Sequence, residues 1–328
     1  MVRGVKVWQR AANPPLRKRV WRKAIAERRS HEILEIDKFL DSVRPALVIA
    51  QSGAALPPIT VVELCSAKEI PFVTIGQANY EGYWCEDDLA ERYRRALAAA
   101  LRCYFVSRAN LQLTEKQIGC ELSNAEIVRN PFNVDYNASV PWPQDANNEV
   151  RFACVGRLDP RAKGQDILLE ALAQPAWMNR RWSLTFYGDG PMRNSIERLI
   201  DRLNLVSRVT LAGYVSPVER IWAENHALVM PSRFEGLPLA MIEAMLCARP
   251  VVATDVAGHS EIIADGVTGF LAGAPTASSF ALALERFWGR RNELEQMGEA
   301  AAESIRNYVP RDPAKVFSEK IKQLLGKQ

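Results

Sequence analysis

The sequence predicts an α/β chain with two domains, each built on a parallel sheet, and three observations carry that expectation. Apolar β-rich runs alternate with helical stretches along most of the chain, and strand alternating with helix implies parallel pairing. The length of 328 residues suits about two domains at roughly 150 residues each. A segment rich in Asn, Pro and Asp with neither helical nor strand period, NASVPWPQDANNEV over 137–150, divides the alternation and reads as a linker. The expected organisation is an N-terminal domain over 1–145, a second domain over 146–308 and a C-terminal helical segment over 309–328.

Composition narrows the class. Apolar residues make up 48% and charged residues 24% of the chain, the usual balance of a folded globular protein, which excludes disorder and collagen-like architectures. No run approaches the ~18 consecutive apolar residues of a membrane span, and the N-terminus lacks the apolar block of a secretory signal, so a cytoplasmic protein is expected. The six cysteines (Cys65, Cys85, Cys103, Cys120, Cys154, Cys247) form no C-x-x-C pair and read as reduced, mostly buried hydrophobes. His31, His226 and His259 are too far apart in sequence to suggest a metal site.

The first element is basic. Residues 1–30 contain ten Lys or Arg against the single acid Glu27, while the rest of the chain carries 32 basic and 37 acidic side chains. Leu16, Val20 and Ala24, then Ile33, Ile36, Leu40 and Val43, stand at helical spacing, so the run reads as the solvated face of an amphipathic helix. Its charge also suits a peripheral contact with an anionic membrane. Nucleic acid is not the expected partner. Val5–Gln9 has strand character, and further strands are expected at Ala46–Gln51, Pro71–Ile75, Cys103–Ser107 and Glu126–Arg129, with a helix at Asp88–Leu101. Asp87 and Asp88 read as a helix cap. No apolar strand followed by a glycine-rich turn opens the chain, so this domain is expected to be incomplete at its N-terminus.

The second half alternates more regularly. Strands are expected at Arg151–Gly156, Ser183–Gly188, Arg208–Gly213, Ala227–Pro231, Val251–Thr254 and Gly269–Ala272. Helices fit Gly164–Ala173, Met192–Leu203, Pro238–Leu246 and Ser278–Trp288, then Glu293–Tyr308 and Pro313–Leu325. Such sheets bind ligands at the carboxyl ends of their strands, so the turns after Gly156, Gly188, Gly213 and Pro231 should share one crevice.

Two motifs fall on that crevice. In VGRLDPRAKGQDILLEAL, residues 155–172, a buried strand enters a turn bearing Arg157 and Lys163 and then a helix opening near Gly164. Free helix-start N–H groups and two cations suit an anion such as a diphosphate, although two basic residues in a surface turn are also an ordinary structural feature. In PSRFEGLPLAMIEAM, residues 231–245, Glu235 lies in a turn and Glu243 inside a helix. Pro238 suits the first helical position, which leaves the amides of Gly236, Leu237 and Leu239 for ligand oxygens. Were the segment wholly helical, eight residues would separate the carboxylates by ~12 Å at ~1.5 Å rise, near the reach of a nucleotide sugar from sugar to ribose. Glu243 stands among Leu239, Ala240, Met241, Ile242, Ala244, Met245 and Leu246, where an acid needs a partner.

Taken in order, VGRL with the later KG, FYGDGP, VTLAGYV, PSRFEGLPLAMIEAM and PVVATDVAGHSEII resemble the C-terminal half of retaining glycosyltransferases of family 4, which have the GT-B fold of two Rossmann-like domains facing a central cleft. The likeness spans about residues 126–308. It implies that Arg157 and Lys163 bind the donor diphosphate, Glu235 contacts the transferred sugar, Glu243 holds the ribose hydroxyls, and the Gly236–Leu239 backbone supports the phosphates. Tyr214–Val215 would lie near the base, and Pro313–Leu325 would cross back onto the first domain. SRANLQLTEKQIG and RNPFNVD, at 107–119 and 129–135, are similar to the family's segment before the linker. Where many relatives place a histidine at the end of an N-domain strand, this chain offers Gln51 or Gln77.

The resemblance implies retaining transfer of a sugar from a UDP- or GDP-sugar to a hydroxyl acceptor, a glycan or lipid-linked glycan, in bacterial cell-surface polysaccharide or glycolipid assembly. No D-x-D pair occurs, so no metal cofactor is expected and the cations take its place. An alternative is a truncated, noncatalytic or partner-dependent nucleotide-sugar-binding protein. A nucleotide-sugar epimerase on a similar fold is a weaker reading. An NAD-dependent oxidoreductase is disfavoured, because Arg193 stands where G-x-G-x-x-G needs its third glycine after Gly188 and Gly190. His259, before Glu261, borders the donor pocket or simply starts a helix.

Overall fold

The computed structural model describes residues 31, 33–144 and 148–326. The chain divides into one compact unit over Met1–Ala46 and a second over Leu47–Gln328. In the first, a helix runs over 33–43 (α1), as the spacing of Ile33, Ile36, Leu40 and Val43 requires; the Arg44 amide closes it on the Leu40 carbonyl at 2.9 Å. The basic run over 1–30 and the strand expected at Val5–Gln9 lie outside the described residues.

The second unit holds two parallel sheets. Its N-terminal half runs β1 (Val48–Gln51), α2 (Ile59–Ala67), β2 (Phe72–Gly76), α3 (Asp87–Ala99), β3 (Arg102–Phe105), α4 (Arg108–Ile118) and β4 (Ala125–Ile127). These strands pair in the order β1-β2-β3-β4, with Val48 opposite Phe72, Val73 opposite Arg102 and Cys103 opposite Ala125. Asp87 and Asp88 lie in the first turn of α3, where a carboxylate suits the positive helix end, but Glu86 takes the N-cap position.

The C-terminal half begins with β5 (Val150–Val155), α5 (Pro160–Lys163), α6 (Gln165–Leu172), α7 (Pro175–Met178), β6 (Trp182–Tyr187), α8 (Arg193–Arg202) and β7 (Val209–Gly213). It continues with α9 (Glu219–Glu224), β8 (Ala227–Met230), α10 (Leu239–Leu246), β9 (Val251–Thr254), α11 (His259–Ile262), β10 (Gly269–Ala272), α12 (Ala277–Gly289), α13 (Leu294–Tyr308) and α14 (Pro313–Leu325). The strand order is β10-β9-β8-β5-β6-β7. Strands laid down outward from β5 in one direction and from β8 in the other define a switch point between those two strands, and a ligand crevice opens beyond their carboxyl ends. Every residue of β8 and β9 is buried, as strands covered by helices on both faces must be.

Helix α14 leaves the C-terminal half and packs on the N-terminal sheet. Phe317, Ile321 and Leu324 meet the cluster of Val73, Tyr104 and Val128, Phe317 lies edge-on to Tyr104 at 5.3 Å, and Lys320 pairs with Glu126. All six cysteines are free. Burial pushes Cys65 and Cys103 up to about 11 and Cys154 and Cys247 up to about 12, so these four are protonated, inert core residues at neutral pH.

Candidate functional site

The loops after β5 and β8 meet at the switch point. The one-turn helix α5 ends at Lys163, Gly164 turns left-handed with φ +63°, and α6 starts at Gln165. The helix expected over Gly164–Ala173 is α6, capped by Gly164 and Ala173, and α5 is an additional turn before it that ends at Lys163. Gly164 is required twice over, since a Cβ there would lie 2.0 Å from the Pro231 carbonyl oxygen. The β8 loop is held against this turn by Arg233, whose guanidinium forks onto both Asp166 oxygens at 2.7 Å and also reaches the Pro160 carbonyl at 2.7 Å. The Arg233 amide bonds the Ala162 carbonyl at 2.8 Å.

That staple brings Lys163 and Glu235 together. Lys163 Nζ is 2.5 Å from Glu235 Oε1, and Ser232 Oγ donates to the same oxygen at 2.9 Å. Ser232 is fixed in turn, because Thr254 Oγ1 donates to its carbonyl at 2.5 Å. His259 begins α11 and is fully buried; its Nδ1 lies 2.6 Å from the Thr254 carbonyl. Burial lowers the His259 pKa below the ordinary imidazole value, with the Glu235 charge opposing. A run of buried polar contacts therefore links His259, Thr254 and Ser232 to the Glu235 carboxylate.

Pro238 is the N-cap of α10 rather than its first residue. The segment from Glu235 is consequently a turn followed by a helix, so the spacing of a continuous helix does not apply to its two carboxylates. The Met241 and Ile242 amides turn back to the Pro238 carbonyl at 3.2 and 3.4 Å, and the Leu239 amide precedes that ladder. Glu243 stands one turn further in and is buried; the Asn133 amide and Asn133 Nδ2 both donate to its Oε1, at 3.0 and 2.8 Å. Asn133 is the partner its apolar surroundings demand. Burial raises the Glu243 pKa, and the two Asn133 bonds pull it back.

Arg157 has a partner on its own turn. Its Nη2 is 3.1 Å from Asp159 Oδ2, and Asp159 also receives both arms of Arg161, at 2.8 and 3.0 Å. The Arg161 hydrogen bonds, with the charges of Arg161 and Arg157, hold the Asp159 carboxyl below the usual range. The other expected turns adjoin one another: the Gly188 amide bonds the Gly213 carbonyl at 2.7 Å, and the Leu158 amide bonds the Asp189 carbonyl at 3.1 Å. Tyr214 is exposed, while Val215 packs on the buried core.

The N-terminal half reaches into the site from the ends of its own strands. Asn79, after β2, donates its amide to the Glu235 carbonyl at 3.3 Å, and Asn110 Nδ2 bonds the same carbonyl at 3.3 Å and that of Gln77 at 3.2 Å. A Cβ on Gly236 would fall 1.8 Å from the Gln77 carbonyl oxygen, and one on Gly258 would fall 2.6 Å from Ser107 Cβ. Gln51 and Gln77 both stand here: Gln77 Nε2 lies 3.4 Å from Gln51 Oε1 and 3.2 Å from Asn130 Oδ1. Glu261 bridges the halves, accepting from the Ala109 amide at the start of α4 at 2.8 Å and from the Tyr308 hydroxyl at 2.6 Å.

Sequence reasoning singled out Glu235, Lys163, Glu243 and the Gly236–Leu239 backbone, and the structure gathers them, with Arg157 on the turn just before. It did not assign Ser232, Arg233, Asn133, Asn79 or Asn110. All but Asn79 lie inside segments already singled out, PSRFEG, RNPFNVD and SRANLQLTEKQIG. A buried acid in α10 was itself the signal that a polar partner such as Asn133 existed.

Two parallel-sheet halves whose strand ends meet at one cleft define the class: the fold is GT-B, an α/β architecture of two Rossmann-like halves. Residues 149–290 match the family model described as Glycosyl transferases group 1. Alpha-D-kanosaminyltransferase of Streptomyces kanamyceticus is 35% identical over 150 residues, 45% of this chain and 39% of that protein. Poly(ribitol-phosphate) alpha-N-acetylglucosaminyltransferase of Staphylococcus aureus strain COL is 30% identical over 175 residues, 51% of this chain and 35% of that protein. The matched region is thus less than two fifths of the length of these two relatives. Anabaena HepE in complex with UDP superposes with a TM-score of 0.69 at 19% identity, covering 90% of this chain and 82% of that one. Among the described residues, no helix is long and apolar enough to cross a membrane.

Proposed function

We propose that the chain is a retaining glycosyltransferase that moves a sugar from a nucleotide-sugar donor to a hydroxyl acceptor. The observation that carries this reading is the Lys163–Glu235 pair at the switch point, beside the unladdered amides at the start of α10. Lys163 has three protons, of which Glu235 takes one, leaving two for diphosphate oxygens. Arg157 adds a second cation on the same turn. Lys163 and Ser232 both donate to Glu235 Oε1, so Oε2 is the oxygen offered to a sugar hydroxyl. Glu243, fixed by Asn133, would accept from the ribose hydroxyls, with Tyr214–Val215 by the base.

As the bond from the anomeric carbon to the leaving oxygen breaks, negative charge grows on the diphosphate. Fixed donors aimed at that charge lower the barrier, each worth about 10²–10³ in rate where comparable donors have been removed. Lys163, Arg157 and the helix amides would supply this stabilisation without a metal ion. The acceptor oxygen then bonds to the anomeric carbon on the face the leaving group vacates, and its proton passes to the departing phosphate, which retains configuration. UDP is the favoured donor nucleotide, because the similar HepE structure contains it. The alpha linkage in both relatives' names is what retention gives from an alpha-linked donor. Cell-surface polysaccharide or glycolipid assembly suits the wall-polymer relative, and the basic residues 1–30 would suit peripheral attachment at the inner membrane face.

The test is nucleotide release from a panel of UDP- and GDP-sugars with glycan acceptors, with and without EDTA, followed by NMR of the product's anomeric carbon. Acceptor-dependent release that survives EDTA and gives a retained anomer is expected. Release that EDTA abolishes removes the metal-free mechanism, and an inverted anomer removes retention.

A further inference from the structure

We propose that the loop at 79–84 is a saccharide-stacking platform: Tyr83 and Trp84, buttressed by Tyr80, receive a sugar ring of a glycan acceptor beside Glu235. The proposal rests on the reading of the Lys163–Glu235 site as the donor site, and it names the class of acceptor.

Among the described residues four aromatic side chains are exposed: Tyr80 at 49%, Tyr83 at 46%, Trp84 at 57% and Tyr214 at 81%. All four follow the carboxyl ends of strands, and three share this one loop. Water does not favour such a cluster, and ordinary folding would bury it. Here the loop is instead built to present it. The Tyr80 amide bonds Asn79 Oδ1 at 2.7 Å, Gln117 Nε2 holds the Tyr80 carbonyl at 2.7 Å, and Trp84 Nε1 donates to the Glu81 carbonyl at 3.0 Å. With its N–H satisfied inside the loop, the indole is fixed and its remaining surface is apolar. Gly82 lies against the Tyr80 ring so closely that a Cβ would stand 2.5 Å from Tyr80 Cε1.

The loop is also tied to the chemistry. The Tyr80 ring packs on Phe234 at 5.7 Å, one residue before Glu235, and Asn79 bonds the Glu235 carbonyl. A ring seated on this loop is therefore placed next to the sugar that Glu235 would hold. Charge selects the occupant. Glu81, Glu86, Asp87 and Asp88 flank the aromatics with no basic residue between 79 and 91, which disfavours an anionic lipid surface. A neutral sugar ring has an apolar C–H face for the negative faces of the aromatics and hydroxyls that donate to carboxylates.

Saturation-transfer NMR on the full chain with UDP provides the test, using methyl glycosides of glucose, galactose, mannose and N-acetylglucosamine together with maltose and lactose. At least one sugar should receive saturation, and Tyr83→Ala with Trp84→Ala should weaken its binding tenfold or more while UDP affinity stays within twofold. UDP binding with no sugar bound, or with sugar binding unchanged in the double variant, overturns the platform and leaves the donor reading standing. Vesicles of phosphatidylglycerol that bind the wild type and release the double variant overturn it in favour of a membrane. Failure of both UDP and GDP to bind removes the donor reading and the platform with it.

Discussion

Glu235 and Lys163 satisfy each other in the cleft, and each then has capacity left for a ligand. Glu235→Gln keeps the shape and the Ser232 contact but removes the charge, so transfer should fall by about 10²–10³ with an unchanged circular dichroism spectrum; wild-type turnover would refute its role. Lys163→Ala should lose the same order of rate. Glu243 makes a prediction in pH. Burial raises its pKa above the ordinary carboxylate value, so the folded chain holds that proton more tightly than the unfolded chain. Its contribution to stability therefore falls as pH rises from the unfolded value through the raised one. Glu243→Gln should gain in melting temperature relative to wild type as pH rises across that window, and parallel curves would show that the shift is absent. The partner of this acid was implied by its apolar neighbours alone. Its identity was not, because Asn133 lies 110 positions away.

At the scale of elements, geometry at the cleft depends on close backbone approaches and on one guanidinium. Gly236→Ala would drive a methyl into the Gln77 carbonyl and part the two halves, so both transfer and thermal stability should drop together. Arg233→Met retains the stem but releases Asp166 and the Pro160 carbonyl, letting the Lys163 turn drift from Glu235. A displacement of about 1 Å can cost 10²-fold in rate, so kcat should fall far more than melting temperature; an unchanged kcat would show that the staple is dispensable. Strands β9 and β10 were readable to the residue, because short apolar runs bounded by Pro, Asp and Gly have few alternatives. Helix α2 was not, since Ile59, Thr60, Val61 and Val62 are β-branched and favour strands by propensity; packing of Val62 and Cys65 decides for helix. The four-residue α5 is too short for any period, and the Arg233–Asp166 fork spans 67 positions, beyond what a motif scan can show.

Across the whole molecule, α14 joins the end of the chain to the first sheet. Phe317→Ala should cost about 2 kcal/mol, less than the ~3–5 of a fully buried phenylalanine, measured by urea denaturation; no loss would place α14 outside the cooperative unit. That crossing was legible only through the family resemblance, as was the facing of the two halves, since neither follows from periodicity. The central claim is that the cleft between those halves holds a nucleoside diphosphate on Lys163 and Glu243. Calorimetric titration of UDP and GDP into the wild type and into Lys163→Ala addresses it most directly. One equivalent of nucleotide should bind the wild type, and the variant should bind it at least tenfold more weakly, about 1.4 kcal/mol. A folded chain that binds neither nucleotide, or a variant that binds as tightly as the wild type, would contradict it.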